Sequence, residues 1–171
     1  MIKIITKISI ALFLMTAGCN MPPQPEPQKT AEAKMTSYED FGPVKIEILP
    51  LTEFSASEKG QKIIAFLSLK DSFGSSQKWP VIFRFELYEQ VPRSIEPMGK
   101  RIKIWPDIDL KTPAKNNQFW QDFLRCYKFN LDIESVDKQN YIFQSTIILP
   151  DEKRLTTQVF LKASAAKTAS Q

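Results

Sequence analysis

From Pro43 to Lys162, apolar and polar residues alternate along the chain with a period of two, the pattern of strands that bury one face. Val44, Ile46 and Ile48 alternate with Lys45 and Glu47. Ile63, Ala65, Leu67 and Leu69 share one parity, while Ile64 and Phe66 make that stretch apolar on both faces at its start. The clearest run sets Val81, Phe83, Phe85 and Leu87 inward against Arg84, Glu86 and Tyr88. Ile102 and Ile104 alternate with Arg101, Lys103 and Trp105, and Tyr127, Phe129, Leu131 and Ile133 alternate with Lys128, Asn130 and Asp132. The last pair, Tyr141–Leu149 and Arg154–Leu161, flanks Pro150-Asp151-Glu152-Lys153, which reads as a hairpin turn. These seven strands, punctuated by Gly, Pro, Asp and Ser, predict a mainly β fold. Its form is a single antiparallel β-sandwich, immunoglobulin- or C2-like.

One segment follows a different period. Thr112-Pro113 supplies an N-cap and a first-turn proline. Phe119, Trp120, Phe123, Leu124 and Tyr127 then recur at spacings of three and four, an amphipathic helical stripe. The spacing predicts one short helix from about Pro113 or Asn116 to Arg125, capping one end of the sandwich and running directly into the next strand.

Ahead of the strands the pattern changes again. Lys3 and Lys7 precede an apolar run from Ile8 to Met15, and Thr16-Ala17-Gly18 leads into Cys19. A charged start, a short apolar stretch and a small-residue cleavage site are the layout of a secretory signal, too short to span a bilayer comfortably. Cys19 directly after Ala-Gly resembles a lipobox, the site cut by lipoprotein signal peptidase once the thiol carries diacylglycerol. Thr16 departs from that pattern, which usually has Leu there. The resemblance implies that Cys19 is the first mature residue and carries acyl chains, palmitate among them. Each buried CH₂ contributes about 0.8 kcal/mol, so two or three chains anchor firmly where one is marginal. Asn20, in place of the aspartate that often signals inner-membrane retention, favours the outer membrane if the host has one. The competing readings are ordinary secretion with Cys19 incidental, and a retained membrane anchor.

The domain organisation that follows has four parts. Residues 1–18 form the signal peptide, and residues 19–42 the lipidated cysteine and a disordered tether. Residues 43–162 form the sandwich and residues 163–171 a flexible tail. The tether is Pro- and Gln-rich, with Pro22, Pro23, Pro25 and Pro27 favouring extended polyproline geometry of about 3.1 Å per residue. About twenty such residues reach several nanometres from a membrane.

Composition changes the picture mainly by exclusion. The chain has no histidine, which removes Ser-His-Asp and Cys-His catalysis, histidine-ligated zinc and a histidine pH switch. With Cys19 lipidated, Cys126 is the one remaining thiol of the two cysteines, so no intramolecular disulfide forms. Five glycines include no phosphate-binding loop. Removing residues 1–18 takes away Lys3 and Lys7 and no acid, lowering the formal charge from +4 to +2. That balance gives no case for nucleic acid, and no cofactor or resident metal is expected.

Each remaining candidate has an ordinary structural explanation beside the chemical one. Asp107 and Asp109, with Asp71 and Asp122 elsewhere, offer oxygens for a calcium site, or they close a turn and pair with Lys100, Arg101 or Lys103. Nineteen acidic residues offer many pairs for glycosidase chemistry without selecting one; Glu86 and Glu89 near Arg84 read as a cross-strand charge ladder. Cys126 lacks a histidine activator and reads as a buried, inert thiol. Trp120 belongs to the core; Trp79 and Trp105 stand at element edges, where core packing is the favoured reading and an exposed ring stacking on a sugar or partner the other.

Glu86-Leu87-Tyr88-Glu89-Gln90-Val91-Pro92-Arg93-Ser94 with Lys100-Arg101, Trp105-Pro106-Asp107-Ile108-Asp109-Leu110 and Phe119-Trp120-Gln121-Asp122-Phe123-Leu124-Arg125 together resemble an uncharacterised family of bacterial envelope lipoproteins. The resemblance covers most of residues 43–162, implies an anchored module and carries over no site residue. The function expected is therefore a lipid-anchored envelope protein with a non-catalytic binding or accessory role in an envelope complex. Arg93, Lys100, Arg101, Trp105, Asp107 and Asp109 are the expected contacts to an envelope protein partner. A carbohydrate- or peptidoglycan-binding module is the alternative, followed by an envelope hydrolase and a lipid carrier.

Overall fold

The computed structural model describes residues 41–57, 60–133 and 140–163. The signal, Cys19, the tether up to residue 40 and the tail from residue 164 lie outside the described residues. The alternating segments form two antiparallel sheets that pack face to face, as the period-two pattern predicts.

The first sheet is built on β3 (Gly60–Lys70). β1 (Lys45–Ile48) pairs with its second half and β2 (Glu53–Ser57) with its first half. The ladder breaks between β1 and β2, and the hydroxyl of Thr52 accepts the hydrogen bond of the Phe66 amide at 3.0 Å, supplying the partner that the break removes. β9 (Cys126–Ile133) pairs with β3 and with the short β8 (Trp120–Gln121), while β4 (Ser76–Gln77) returns against the end of β3.

The second sheet has the order β11 (Arg154–Lys162), β10 (Asn140–Ile148), β5 (Ile82–Gln90) and β6 (Met98–Ile104), with β7 (Ile108–Asp109) also pairing with β5. The β10–β11 turn is the hairpin expected at 150–153, closed by the Leu149 amide on the Lys153 carbonyl at 2.9 Å with Glu152 at φ 67°.

The inward parities are those read from the sequence. Val81, Phe83, Phe85 and Leu87 are fully buried, as are Ile63, Ala65, Leu67 and Leu69. Between the sheets the rings of Phe83 and Phe129 lie 4.8 Å apart and those of Phe85 and Phe129 4.9 Å apart, tilted as aromatic quadrupoles favour.

Three expectations are corrected. The helix α1 (Pro113–Phe119) ends where the apolar stripe begins. Residues 120–127 instead form a tight hairpin: Trp120 pairs with Tyr127, the Arg125 amide meets the Asp122 carbonyl at 3.3 Å, and Arg125 adopts φ 49°. Phe119 and Trp120 still pack on the core, but Phe123 and Leu124 face solvent at the hairpin tip. Cross-strand pairing and the edge-on Trp120–Tyr127 contact at 5.1 Å win over helical periodicity, a tertiary override of a local preference. Second, the Ile102/Ile104 strand presents both isoleucines to solvent and buries Trp105. β6 is an edge strand with register shifts against β5 between Leu87 and Tyr88 and between Tyr88 and Gln90; each shift reassigns which side chains face in. Third, β2, β4, β7 and β8 add to the seven strands expected. β4, β7 and β8 are two residues long, too short to show a period.

Candidate functional site

The outward face of the second sheet carries a polar cluster centred on Glu86. Its carboxylate accepts from Arg101 at 2.8 Å and from the Tyr88 hydroxyl at 3.1 Å through Oε1, and from Gln144 at 3.3 Å through Oε2. Period two places Arg84, Glu86 and Tyr88 on one face, and the β10 register puts Gln144 opposite Glu86. The hydrogen bond that Arg101 donates to Glu86 raises the pKa of Arg101, and burial, then the bond to Glu86, raises that of Tyr88. Beside this cluster Arg84 grips Asp107 with two bonds, 3.0 and 2.8 Å. That fork holds the Asp107 carboxyl below its ordinary value and Arg84 above its own. The cross-strand ladder expected at Glu86 is present in this form, with Arg101 rather than Arg84 as its main cation. Glu86 and Asp107 are both committed to guanidinium partners, an arrangement that fastens strands and loop together.

The six expected contact residues do not form one surface. Arg93 sits in the β5–β6 loop at φ 60°, and Lys100 is exposed nearby on β6. Arg101 lies over Tyr88, whereas Asp109 pairs with Ile82, six residues back along β5, a separation of about 20 Å at the usual rise per residue. Asp107 pairs with Arg84 and Asp109 with Lys111 at 3.5 Å, not with Lys100, Arg101 or Lys103. Trp105 is 8% exposed; its indole N–H donates to the Asp132 carbonyl at 2.8 Å and its ring meets Phe143 edge-on. It ties the end of β6 to β9 across the sandwich and offers no free ring for stacking. Sequence proximity had grouped residues that an extended strand pulls apart.

What the β5–β6 loop does carry is an exposed apolar tip. Val91 and Ile95 both face solvent, Ile95 completely, with Arg93 between them. The loop is closed by the Val91 amide on the Pro97 carbonyl at 2.9 Å and by the Glu96 amide on the Ser94 hydroxyl at 3.2 Å. Gly99 permits the close approach beneath it: a Cβ there would lie 2.8 Å from Val91 Cγ2 and 3.0 Å from the Glu89 carbonyl oxygen. Ile95 falls outside every period in the sequence, so no alternation signal could have marked it.

At the opposite end, Trp79 lines a shallow groove of about 500 Å³ with Lys78, Pro80, Lys111, Pro113 and Asn117. Its base is fixed by Asn116, whose amide donates to the Trp79 and Leu110 carbonyls at 2.8 and 2.9 Å. The Tyr127 hydroxyl donates to Asn116 Oδ1 at 2.9 Å and accepts from the Trp79 amide at 3.0 Å. Trp79 is half-buried, with part of its ring open to the groove.

Cys126 is fully buried, and burial pushes its thiol pKa up, the reverse of what a nucleophile needs. Among the described residues no helix is long and apolar enough to cross a membrane. No family model, curated protein or solved structure matches the chain.

Proposed function

We propose that the chain is a lipid-anchored envelope protein whose sandwich domain is a non-catalytic adaptor, held to a membrane through Cys19 and binding an envelope protein through its β5–β6 loop. The observation that carries the reading is the placement of that loop. Phe41, the first described residue, is held beside β4 by the Gln77 side chain, which donates to its carbonyl at 2.9 Å. Val91, Arg93 and Ile95 lie at the other end of β5 from the strand start that adjoins Trp79 and Leu110. A domain carried on a chain that enters beside β4 therefore presents a hydrogen-bonded loop with two exposed apolar side chains, one cation (Arg93) and one anion (Glu96) away from the attachment side. An exposed isoleucine on a loop fixed by its own hydrogen bonds is an anchor of the kind protein interfaces bury. The commitment of Glu86 and Asp107 to arginines and the burial of Cys126 fit an adaptor rather than an enzyme.

The test is crosslinking in native envelopes with tagged full-length protein, comparing the wild type with Arg93→Ala/Ile95→Asp. One recurrent protein adduct, lost in the double variant, is the expected result. An adduct that survives the double variant, or no protein adduct at all, counts against the loop.

The groove at Trp79 favours a second reading, a glycan-binding module, because a half-open indole between prolines and lysines offers a stacking face and hydrogen-bond donors. It predicts tryptophan fluorescence quenching by cell-wall glycan fragments that Trp79→Leu abolishes. Quenching that persists in Trp79→Leu would discard it.

A further inference from the structure

Two exposed phenylalanines tip neighbouring hairpins at the end of the sandwich where Phe41 is held. Phe73 tips the β3–β4 hairpin at 90% exposure, and Phe123 tips the β8–β9 hairpin at 98%. Neither tip is loosely built. Asp71 Oδ1 accepts the amides of Phe73 and Ser75 at 2.9 and 2.8 Å, and Gly74 takes the φ of 82° that this tight turn requires. The second tip is closed by the Arg125–Asp122 backbone bond. Arg125 then donates through its guanidinium to the Ser76 carbonyl at 2.9 Å, clamping the two hairpins together. Gln77, the next residue along, holds Phe41. Both rings and the entry of the chain thus share one short stretch around β4.

We propose that this end of the domain docks on the membrane surface, with Phe73 and Phe123 entering the boundary between headgroups and acyl chains. The hydrogen-bonded turns fix the backbone that carries both rings, so insertion orders only their side chains, and aromatic rings favour that depth of a bilayer. Lys78 and Arg125 lie near the tips, held on Asn117 Oδ1 at 2.7 Å and on the Ser76 carbonyl respectively, and offer lipid phosphates the N–H donors those bonds leave over while the rings sit deeper. Of the nearby acids, Asp71 is turned onto its own loop amides, and Asp122 lies 3.7 Å from Lys78. Proximity favours the same surface: Cys19 stands 22 residues before Phe41, a length that spans at most about 75 Å at full extension. The domain is thereby kept within reach of the leaflet that holds its anchor, and docking orients the β5–β6 loop outward. This inference rests on the anchored reading for the presence of the membrane.

The experiment places a photo-crosslinking phenylalanine analogue at position 73, 123 or 95 of the full chain in the cells that make it. Adducts are then identified by mass spectrometry. Phospholipid adducts at 73 and 123, about tenfold above those at 95, are expected for two inserted rings and a distal loop. Equal lipid adducts at all three positions, or none, overturn the proposal. A protein adduct at 73 and 123 overturns it in favour of a protein contact at that end. The acylation state of the N-terminal peptide, read in the same spectra, separates the outcomes: an unacylated Cys19 removes the anchored reading, whereas acylation without lipid adducts removes only the docking.

Discussion

Tyr127 and Asn116, eleven residues apart in sequence, meet at 2.9 Å between the phenol oxygen and the carboxamide oxygen inside the end of the sandwich. Through this contact helix α1 is hung from β9, and the Trp79 backbone is held between them by both its amide and its carbonyl. Four polar groups are buried there, and each finds its partner within the network.

That network should behave as a unit. Tyr127→Phe leaves the Trp79 amide and the Asn116 carboxamide short of a partner and is expected to cost about 1–3 kcal/mol in urea unfolding. Asn116→Ala should cost a similar amount, and the double variant less than the sum of the two. Additive losses would show that the two residues act separately. Burial raises the Tyr127 pKa above its ordinary 10.0. Above pH 10 the folded state therefore holds a proton the unfolded state has lost, and stability falls as pH rises; Tyr127→Phe should flatten that decline.

Trp105 separates a structural role from a binding one. Trp105→Phe keeps most of the ring and loses the bond to Asp132, for an expected cost of about 1 kcal/mol. Trp105→Ala opens a cavity between β6 and β9 and should cost about 3–5 kcal/mol. Arg93→Ala and Lys100→Ala should change stability by less than about 0.5 kcal/mol. Thermal melts of the four variants check this order, and a neutral Trp105→Ala would contradict the burial of the indole.

Asp107 sets a small acid-side dependence. Its folded pKa lies below the ordinary 3.8 because Arg84 hydrogen-bonds the carboxylate. The stabilisation is present above that value and is lost as pH falls through the folded pKa, where the carboxylate takes up its proton. Both partners are more than a third exposed, so Asp107→Asn should cost no more than about 1 kcal/mol at pH 7. The variant and wild type should draw together as pH falls from 3.8 and converge once it is below the folded pKa of Asp107; a difference that persists at that lower pH would mean Asp107 acts through packing.

The Cys126 thiol should resist alkylation in the folded protein and react at once in denaturant, since burial both blocks access and disfavours the thiolate. Labelling with iodoacetamide followed by intact-mass measurement reads this directly. Rapid modification without denaturant would mean the β8–β9 hairpin opens.

Ser145 faces the core opposite Phe85 and, among the described residues, its buried hydroxyl oxygen lacks a hydrogen-bond partner. Ser145→Ala removes that unsatisfied group at little cost in volume and should be neutral or stabilising by up to about 1 kcal/mol. A clear loss in a calorimetric melt would reveal a partner for the hydroxyl.

The sequence by itself determined the parts of this protein that depend on nearest neighbours along a strand. Period-two alternation gave Val81, Phe83, Phe85 and Leu87 as core, and the 150–153 turn as a hairpin, because a side chain's face in a pleated strand follows from its parity alone. The same parity placed Glu86 outward in a charge ladder. Only the tertiary structure decided what depends on register and on which elements meet. Bulges in β6 exchanged Ile102 and Ile104 for Trp105 as buried residues. Pairing of Trp120 with Tyr127 converted half of an apparent helix into a hairpin whose tip exposes Phe123. The six residues grouped by closeness in sequence were dispersed along β5 and its neighbours, each step along an extended strand carrying them about 3.3 Å further apart. The placing of the Phe73 hairpin beside the Phe123 hairpin rests on the Arg125 bond to the Ser76 carbonyl, 49 residues away in sequence, which no local pattern encodes.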